Sequence, residues 1–223
     1  MTRIPKETGR RDTTDCPPSP ASVASLPDGI YADSRNRLPV VKRESLDELG
    51  QSLYDIIADG LRSGVQLAGF QGPGGIMLYS PNLARSESAK FHYLRSQSHI
   101  GRRLYELAIL TTARELDQQF ECYAHEPAAL SAGVAQEVID VIKFRKATTG
   151  LEPKDATVIQ LGREVFRWRA VDLATFRTAR ALFGDRDLVD IVSVMAQYAC
   201  VAVLLNAFDQ QLPEGRPPLL PVP

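Results

Sequence analysis

Cysteine is scarce in this sequence. Cys16, Cys122 and Cys200 are the only 3 in 223 residues, an odd number set far apart, which suits neither a disulfide framework nor a tetrahedral thiolate metal site. They read as free thiols of a reducing compartment, so the cytoplasm is the expected location. An excess of charge is missing too. The formal net charge is −1, so the chain carries no basic field of the kind that draws a protein to nucleic acid or an anionic membrane. No run of alternating apolar and polar residues is long enough for a strand, and no repeat of fixed period is visible. The N-terminal stretch is polar and Pro-rich where a signal peptide would be apolar. The most apolar segment, LVDIVSVMAQYACVAVLLNAFDQ, reaches the roughly 20 residues of a membrane span. However, Asp190, Gln197, Asn206 and Asp209 break it up, so it reads as a core or interface helix and no membrane partner is expected.

What the sequence does have is apolar content, 44% of it, enough for one sizeable core. The organisation expected is an N-terminal arm over 1–43, a helical domain over 44–210 and a Pro-rich tail over 211–223. The arm is expected to be disordered to about Leu26 and extended beyond it, and the tail either free or docked on a neighbour. The fold class is all-α, with about seven or eight helices. Ser45 with Glu48 three residues on forms a capping box ahead of Leu49, Leu53, Ile56 and Ile57 at helical spacing. Gly72, Pro73, Gly74 and Gly75 predict a tight loop in which backbone passes close to its neighbours. No phosphate-binding Gly-Lys-Ser/Thr follows them. Ser80-Pro81 opens a helix that fades near Ser96. Asp155 to Val171 reads as one helix and Leu173 to Phe183 as another, stopped by Gly184. His92 and His99 have no second ligand in register, and no metal site is expected.

The most informative stretch runs from Arg102 to Gly133. Around Glu106 the residues Leu104, Leu107, Ala108, Ile109, Leu110 and Thr111 leave almost no polar face, so this helix is predicted to be buried on most sides. The carboxylate inside it needs a reason. On the next helix Gln118, Cys122 and His125 fall within about 60° of one another at 100° per residue, and Glu121 lies one turn before His125. One imidazole with one acid beside it and another on the facing helix can transfer a proton to or from carbon. The same trio would equally lock helices together as a buried polar network. Arg102, Arg103 and Arg114 are candidates to grip a substrate carboxylate, since a guanidinium can hold one bidentately. Pro127 removes a backbone hydrogen bond to Tyr123 and predicts a kink in this helix.

The phrases ELAILTTAR, E-x-x-x-H at Glu121 to His125 followed by EPAALSAG, and LLNAFDQQLP resemble the carboxymuconolactone decarboxylase and alkylhydroperoxidase AhpD-like proteins. GPGGIMLYSP resembles a loop-plus-helix segment of the same family, and the resemblance covers roughly Gly72 to Pro213. It implies an AhpD-like helical bundle. It also implies that Met77, Leu78 and Tyr79 help wall a pocket. In the redox branch of that family a C-x-x-C pair precedes the histidine, and here Gln118 and Glu121 stand at those two positions. The resemblance is therefore to the decarboxylase-like branch. It implies a cofactor-independent lyase acting on a small carboxylated, carbonyl or lactone substrate, with Glu106, Glu121 and His125 catalytic, Glu121 orienting His125, and Gln118 and Cys122 beside the substrate. It further implies a homo-oligomer, a dimer, trimer or hexamer. Two other readings stay open at this point: an AhpD-like thiol peroxidase, and a non-enzymatic binding or assembly protein on the same scaffold.

Overall fold

The computed structural model describes residues 26–62 and 69–221, and the disorder expected of the N-terminal stretch falls outside the described residues. Among those described there are eight α-helices and no strand: α1 Glu48–Arg62, α2 Pro73–Met77, α3 Pro81–His92, α4 Gly101–Glu115, α5 Gln119–Ser131, α6 Gln136–Lys143, α7 Pro153–Arg163 and α8 Leu173–Ala207. The all-α expectation holds. A π-helical turn extends α3 over Tyr93–Gln97 and another extends α7 over Glu164–Trp168. The second ends where Arg169 turns left-handed at φ 56°, so the helix expected from Asp155 stops short of Val171.

At the centre stands α4, packed against α5, α7 and α8. Its residues Leu107, Ala108 and Ile109 are fully buried, as a helix without a polar face must be. The apolar segment after Asp187 is the second half of α8. It is long and apolar enough to cross a membrane by length and composition, but it is a core helix here, with Ile191, Val194, Met195, Val201 and Leu205 buried against the bundle. Gly184 interrupts α8 with φ 76° and ψ 171°. A residue without Cβ reaches that conformation without strain, and the stop predicted at this glycine is real.

The start of α1 differs from expectation. Ser45 lies in a 3₁₀ turn and its hydroxyl donates to the carbonyl of Lys42 at 2.7 Å, whereas the Asp47 carboxylate accepts from the amide of Gly50 at 2.7 Å. Asp47 is thus the cap, since an aspartate two residues nearer the helix reaches the orphan amides that Ser45 cannot. At Pro127, where a kink is expected, α5 continues as a single helix from Gln119 to Ser131. Pro73, Gly74 and Gly75, expected in a loop, instead form the first turn of the short helix α2, with the proline at a position where its missing amide costs nothing; the close backbone approach expected there is present. A Cβ on Gly75 would lie 1.9 Å from the carbonyl oxygen of Phe70.

Both ends of the described chain are anchored. Arg37 donates its backbone amide to Phe208 at 2.9 Å, the amide of Gln211 donates to the carbonyl of Arg35 at 2.8 Å, and the Asn36 side chain donates to Gln210 at 2.9 Å. The segment after Leu26 is therefore an arm laid along the end of α8. The tail docks on its own chain. Gln119 on α5 accepts from the amides of Leu219 and Leu220 at 3.0 and 2.9 Å and donates to the Leu220 carbonyl at 2.9 Å, and Leu220 is buried in the core.

Candidate functional site

Helices α1 to α5 and α8 surround a cavity of about 650 Å³, within the range of small-molecule sites. The first turns of α4 contribute Arg102 and Tyr105, α5 contributes Glu121 and His125, and α8 contributes Tyr198. Ile57, Met77, Leu78, Phe91 and Phe120 supply apolar walls, and Arg95 stands at the rim. Arg95 is exposed and has no ion-pair partner among the described residues.

Behind the wall lies Glu106, with none of its surface exposed. One turn separates it from Arg102, whose Nη2 comes within 2.6 Å of Glu106 Oε1. That contact is an ion pair out of line for a hydrogen bond, for Oε1 has no hydrogen-bond partner. The other oxygen, Oε2, lies 2.8 Å from His125 Nδ1. A carboxylate only accepts, so Nδ1 carries the hydrogen and Nε2 is the nitrogen left for chemistry. Nε2 lies 3.4 Å from Glu121 Oε2 without a hydrogen bond between them. The ring is steadied further by Tyr198, which it meets edge-on with centroids 5.0 Å apart.

Glu121 is a buried acid whose Oε2 has no hydrogen-bond partner. Burial pushes its carboxyl above the usual range; the His125 ring pulls it back in part, and the charge of Glu106 adds to the rise. The acid hydrogen-bonded to His125 is thus Glu106, where Glu121 was expected to orient the ring. Glu106 holds His125 in place, and Glu121 is the acid on the cavity side of the ring.

Of the other residues singled out, Arg102 and Met77 do line the cavity. Five do not, which corrects their assignment to a substrate pocket. Arg103 holds Asp155 bidentately at 2.7 and 2.6 Å and donates to the carbonyl of Gly133 at 3.1 Å, tying α4 to the start of α7. Its neighbour in sequence is turned 100° away on the helix and reaches the cavity instead. Arg114 is buried in an ion pair with Asp117 at the far end of α4. Gln118 caps α5, accepting from the amide of Phe120 at 3.0 Å and donating to Asn206 at 2.6 Å. Cys122 faces Glu126, 3.9 Å away. Burial first and the Glu126 charge second push its thiol up to about 12, where it stays protonated and unreactive at neutral pH. The Tyr79 hydroxyl donates to the Pro39 carbonyl at 2.7 Å and holds the arm.

Sequence reasoning missed Tyr105 and Tyr198. The only signal was a hydroxyl-bearing ring beside Glu106 and another in the middle of the most apolar segment, where a phenol needs a partner.

No protein-family model matches the sequence, and no curated protein matches it. Solved structures do match in shape. The alkylhydroperoxidase AhpD core of an uncharacterised peroxidase-related protein from Ralstonia eutropha is 16% identical with a TM-score of 0.65, covering 79% of this chain and 91% of that one. A cysteine-to-alanine variant of the debrominase Bmp8, solved with 2,3,4-tribromopyrrole, is 14% identical with a TM-score of 0.59, covering 74% and 88%. An Agrobacterium tumefaciens protein of unknown function, suggested to be the antioxidant defence protein AhpD, is 17% identical with a TM-score of 0.54, covering 61% and 94%. The chain thus has the AhpD-like helical fold, reached by a sequence that shares little with these neighbours beyond it.

Proposed function

We propose that this protein is a cofactor-independent, decarboxylase-like lyase that moves a proton to carbon on a small carboxylated carbonyl substrate. The observation that carries the reading is His125 held at Nδ1 by a fully buried Glu106, with its other nitrogen beside a buried acid at the wall of a cavity. Arg102, at the cavity and half-exposed, is placed to hold a carboxylate. When the carbon–carbon bond to the leaving carboxylate breaks, carbon dioxide departs and the electron pair passes into the conjugated carbonyl. The Nε2 hydrogen of a charged His125 ring then goes to carbon. The ring is left neutral and regains its proton from water. Glu106 fixes the ring through its hydrogen bond at Nδ1, so it acts as a positioning residue.

Thiol peroxidase chemistry is less well supported by the residues, because Cys122 points away from the cavity and its thiol stays protonated. The test is carbon dioxide release from a panel of 3-oxo acids and vinylogous keto acids. His125→Gln is expected to fold normally and to lose about a hundredfold or more in turnover, the scale of general acid catalysis. Turnover that survives this change undiminished would end the reading.

A further inference from the structure

Tyr105 and Tyr198 place their hydroxyl oxygens 3.0 Å apart at the cavity wall, and both side chains are almost wholly buried. Two hydroxyls have two hydrogens, and the bond between them uses one. Neither hydroxyl makes a hydrogen bond to a carboxylate or carbonyl among the described residues. The second hydrogen therefore has no acceptor among the described residues, although buried donors are nearly always paired. Burial holds both phenols above their ordinary range, with the neighbouring carboxylates adding to the effect on Tyr198, so both remain donors.

We propose that the Tyr105–Tyr198 hydroxyl pair donates a hydrogen bond to a ligand carbonyl oxygen, which makes the cavity selective for apolar keto acids over the same acids without the ketone. The first hydroxyl polarises the second, so the outer hydrogen is a stronger donor than one phenol alone. The rest of the ligand follows from the walls. Ile57, Leu78, Phe91 and Phe120 favour an apolar body. Arg102 lies over the Tyr105 ring, its guanidinium carbon 5.5 Å from the centroid, so a carboxylate held there sits on the same wall of the cavity as the hydroxyl pair. The inference rests on the proposed lyase reading only in sharing its cavity. In that chemistry the same hydrogen bond would strengthen as negative charge gathers on the carbonyl oxygen.

The test is equilibrium binding by calorimetry, with 3-benzoylpropionate and 4-phenylbutanoate as the two probes. They share a phenyl ring, a chain length and a carboxylate, and differ by one ketone. The wild-type protein is expected to bind the keto acid about 5- to 10-fold more tightly, the worth of one good hydrogen bond. In the double variant Tyr105→Phe/Tyr198→Phe the two probes should bind equally, with 4-phenylbutanoate affinity unchanged. Removing both hydroxyls leaves no orphaned partner and keeps the Tyr105 ring against that of Tyr198 and the Tyr198 ring against His125, so the fold is expected to survive. His125→Gln should retain the preference. That separates this inference from the lyase reading, which the same variant tests by turnover. Equal binding of the two probes by the wild type, or a preference that persists in the double variant, would overturn the inference.

Discussion

Replacing Glu106 by glutamine changes one atom and reverses the logic of the site. A glutamine amide offers one acceptor and one donor where the carboxylate offered two acceptors. Arg102 can only donate, so the amide oxygen must turn to the guanidinium that now faces Oε1 at 2.6 Å. The amide nitrogen then faces His125 Nδ1, now 2.8 Å from Oε2. To accept from it, the ring must carry its hydrogen on Nε2, the nitrogen on the cavity side. A neutral ring in that tautomer cannot take up a proton where the reaction delivers and recovers it. Imidazole–carboxylate sites given the wrong tautomer in this way lose up to about 10⁴-fold in rate, so turnover should fall by about 10²- to 10⁴-fold. The stability cost is smaller. A hydrogen bond to a charged group contributes about 1.5–3 kcal/mol and a neutral one about 0.5–1.5 kcal/mol, so the swap costs about 1 kcal/mol. The half-exposed Arg102 rehydrates cheaply and adds less than about 1 kcal/mol. Together these lower the melting temperature by about 2–8 °C for a chain of this size. Nitrogen-15 spectra of the ring report the tautomer directly, and with 3 histidines in the chain they can be assigned by substitution. A Glu106→Gln protein whose His125 has changed tautomer but whose turnover per folded molecule is intact would refute this account.

Other expectations concern the acid, the thiol and the exposed face of α8. Burial raises the Glu121 carboxyl above its ordinary 4.5, so the stability associated with it is fully present below that pH and is lost as pH rises through the raised folded value. Glu121→Gln should therefore gain on the wild type in melting temperature as the buffer moves from pH 4 upward, and parallel profiles would contradict it. Cys200 is exposed and Cys122 buried with its thiol near 12. In a Cys16→Ser background one thiol should react quickly with a disulfide reagent and Cys122→Ser should not alter that count. Dithiol-dependent peroxide turnover that vanished in Cys122→Ser would argue for the opposite chemistry. Val189, Val192 and Val203 are 64%, 37% and 66% exposed on one side of α8, an unusual cost for a helix meant to face water. We expect light scattering to return a multiple of the 24.6 kDa chain mass and Val203→Asp to shift it toward the monomer. A monomeric wild type at micromolar concentration would dispose of the homo-oligomer.

Much of the bundle could be read from the letters because the pattern there was extreme. The residues flanking Glu106 left no face for water, and all but the half-buried Leu104 are buried. Gly184 was marked as a stop by chemistry that any helix would obey. Capping was less legible because Ser45 and Asp47 are both good caps two residues apart, and only the path of the preceding turn decides between them. The meeting of Glu106, Glu121 and His125 could be anticipated from one-turn spacing, but which acid touches the ring depends on the register of α4 against α5. Periodicity does not carry that information. Arg102 and Arg103 show the same limit: two equal charges in adjacent positions, one at the cavity and one on Asp155. Tyr198 lies far along the chain from the helices it serves, and a phenol in an apolar run resembles ordinary core until its partner is seen.

The interruption at Gly184 bears on how the molecule opens. A residue out of helical geometry cuts the ladder of amide hydrogen bonds that makes a long helix respond as one rod. The stretch before it, with Leu173 and Phe176 exposed, can unravel without passing the disturbance down the ladder to Tyr198. Amide hydrogen exchange should accordingly divide α8 into two kinetic classes at this glycine. The slow class would hold the wall of the cavity, and the fast class would let the surface breathe while the wall keeps its shape.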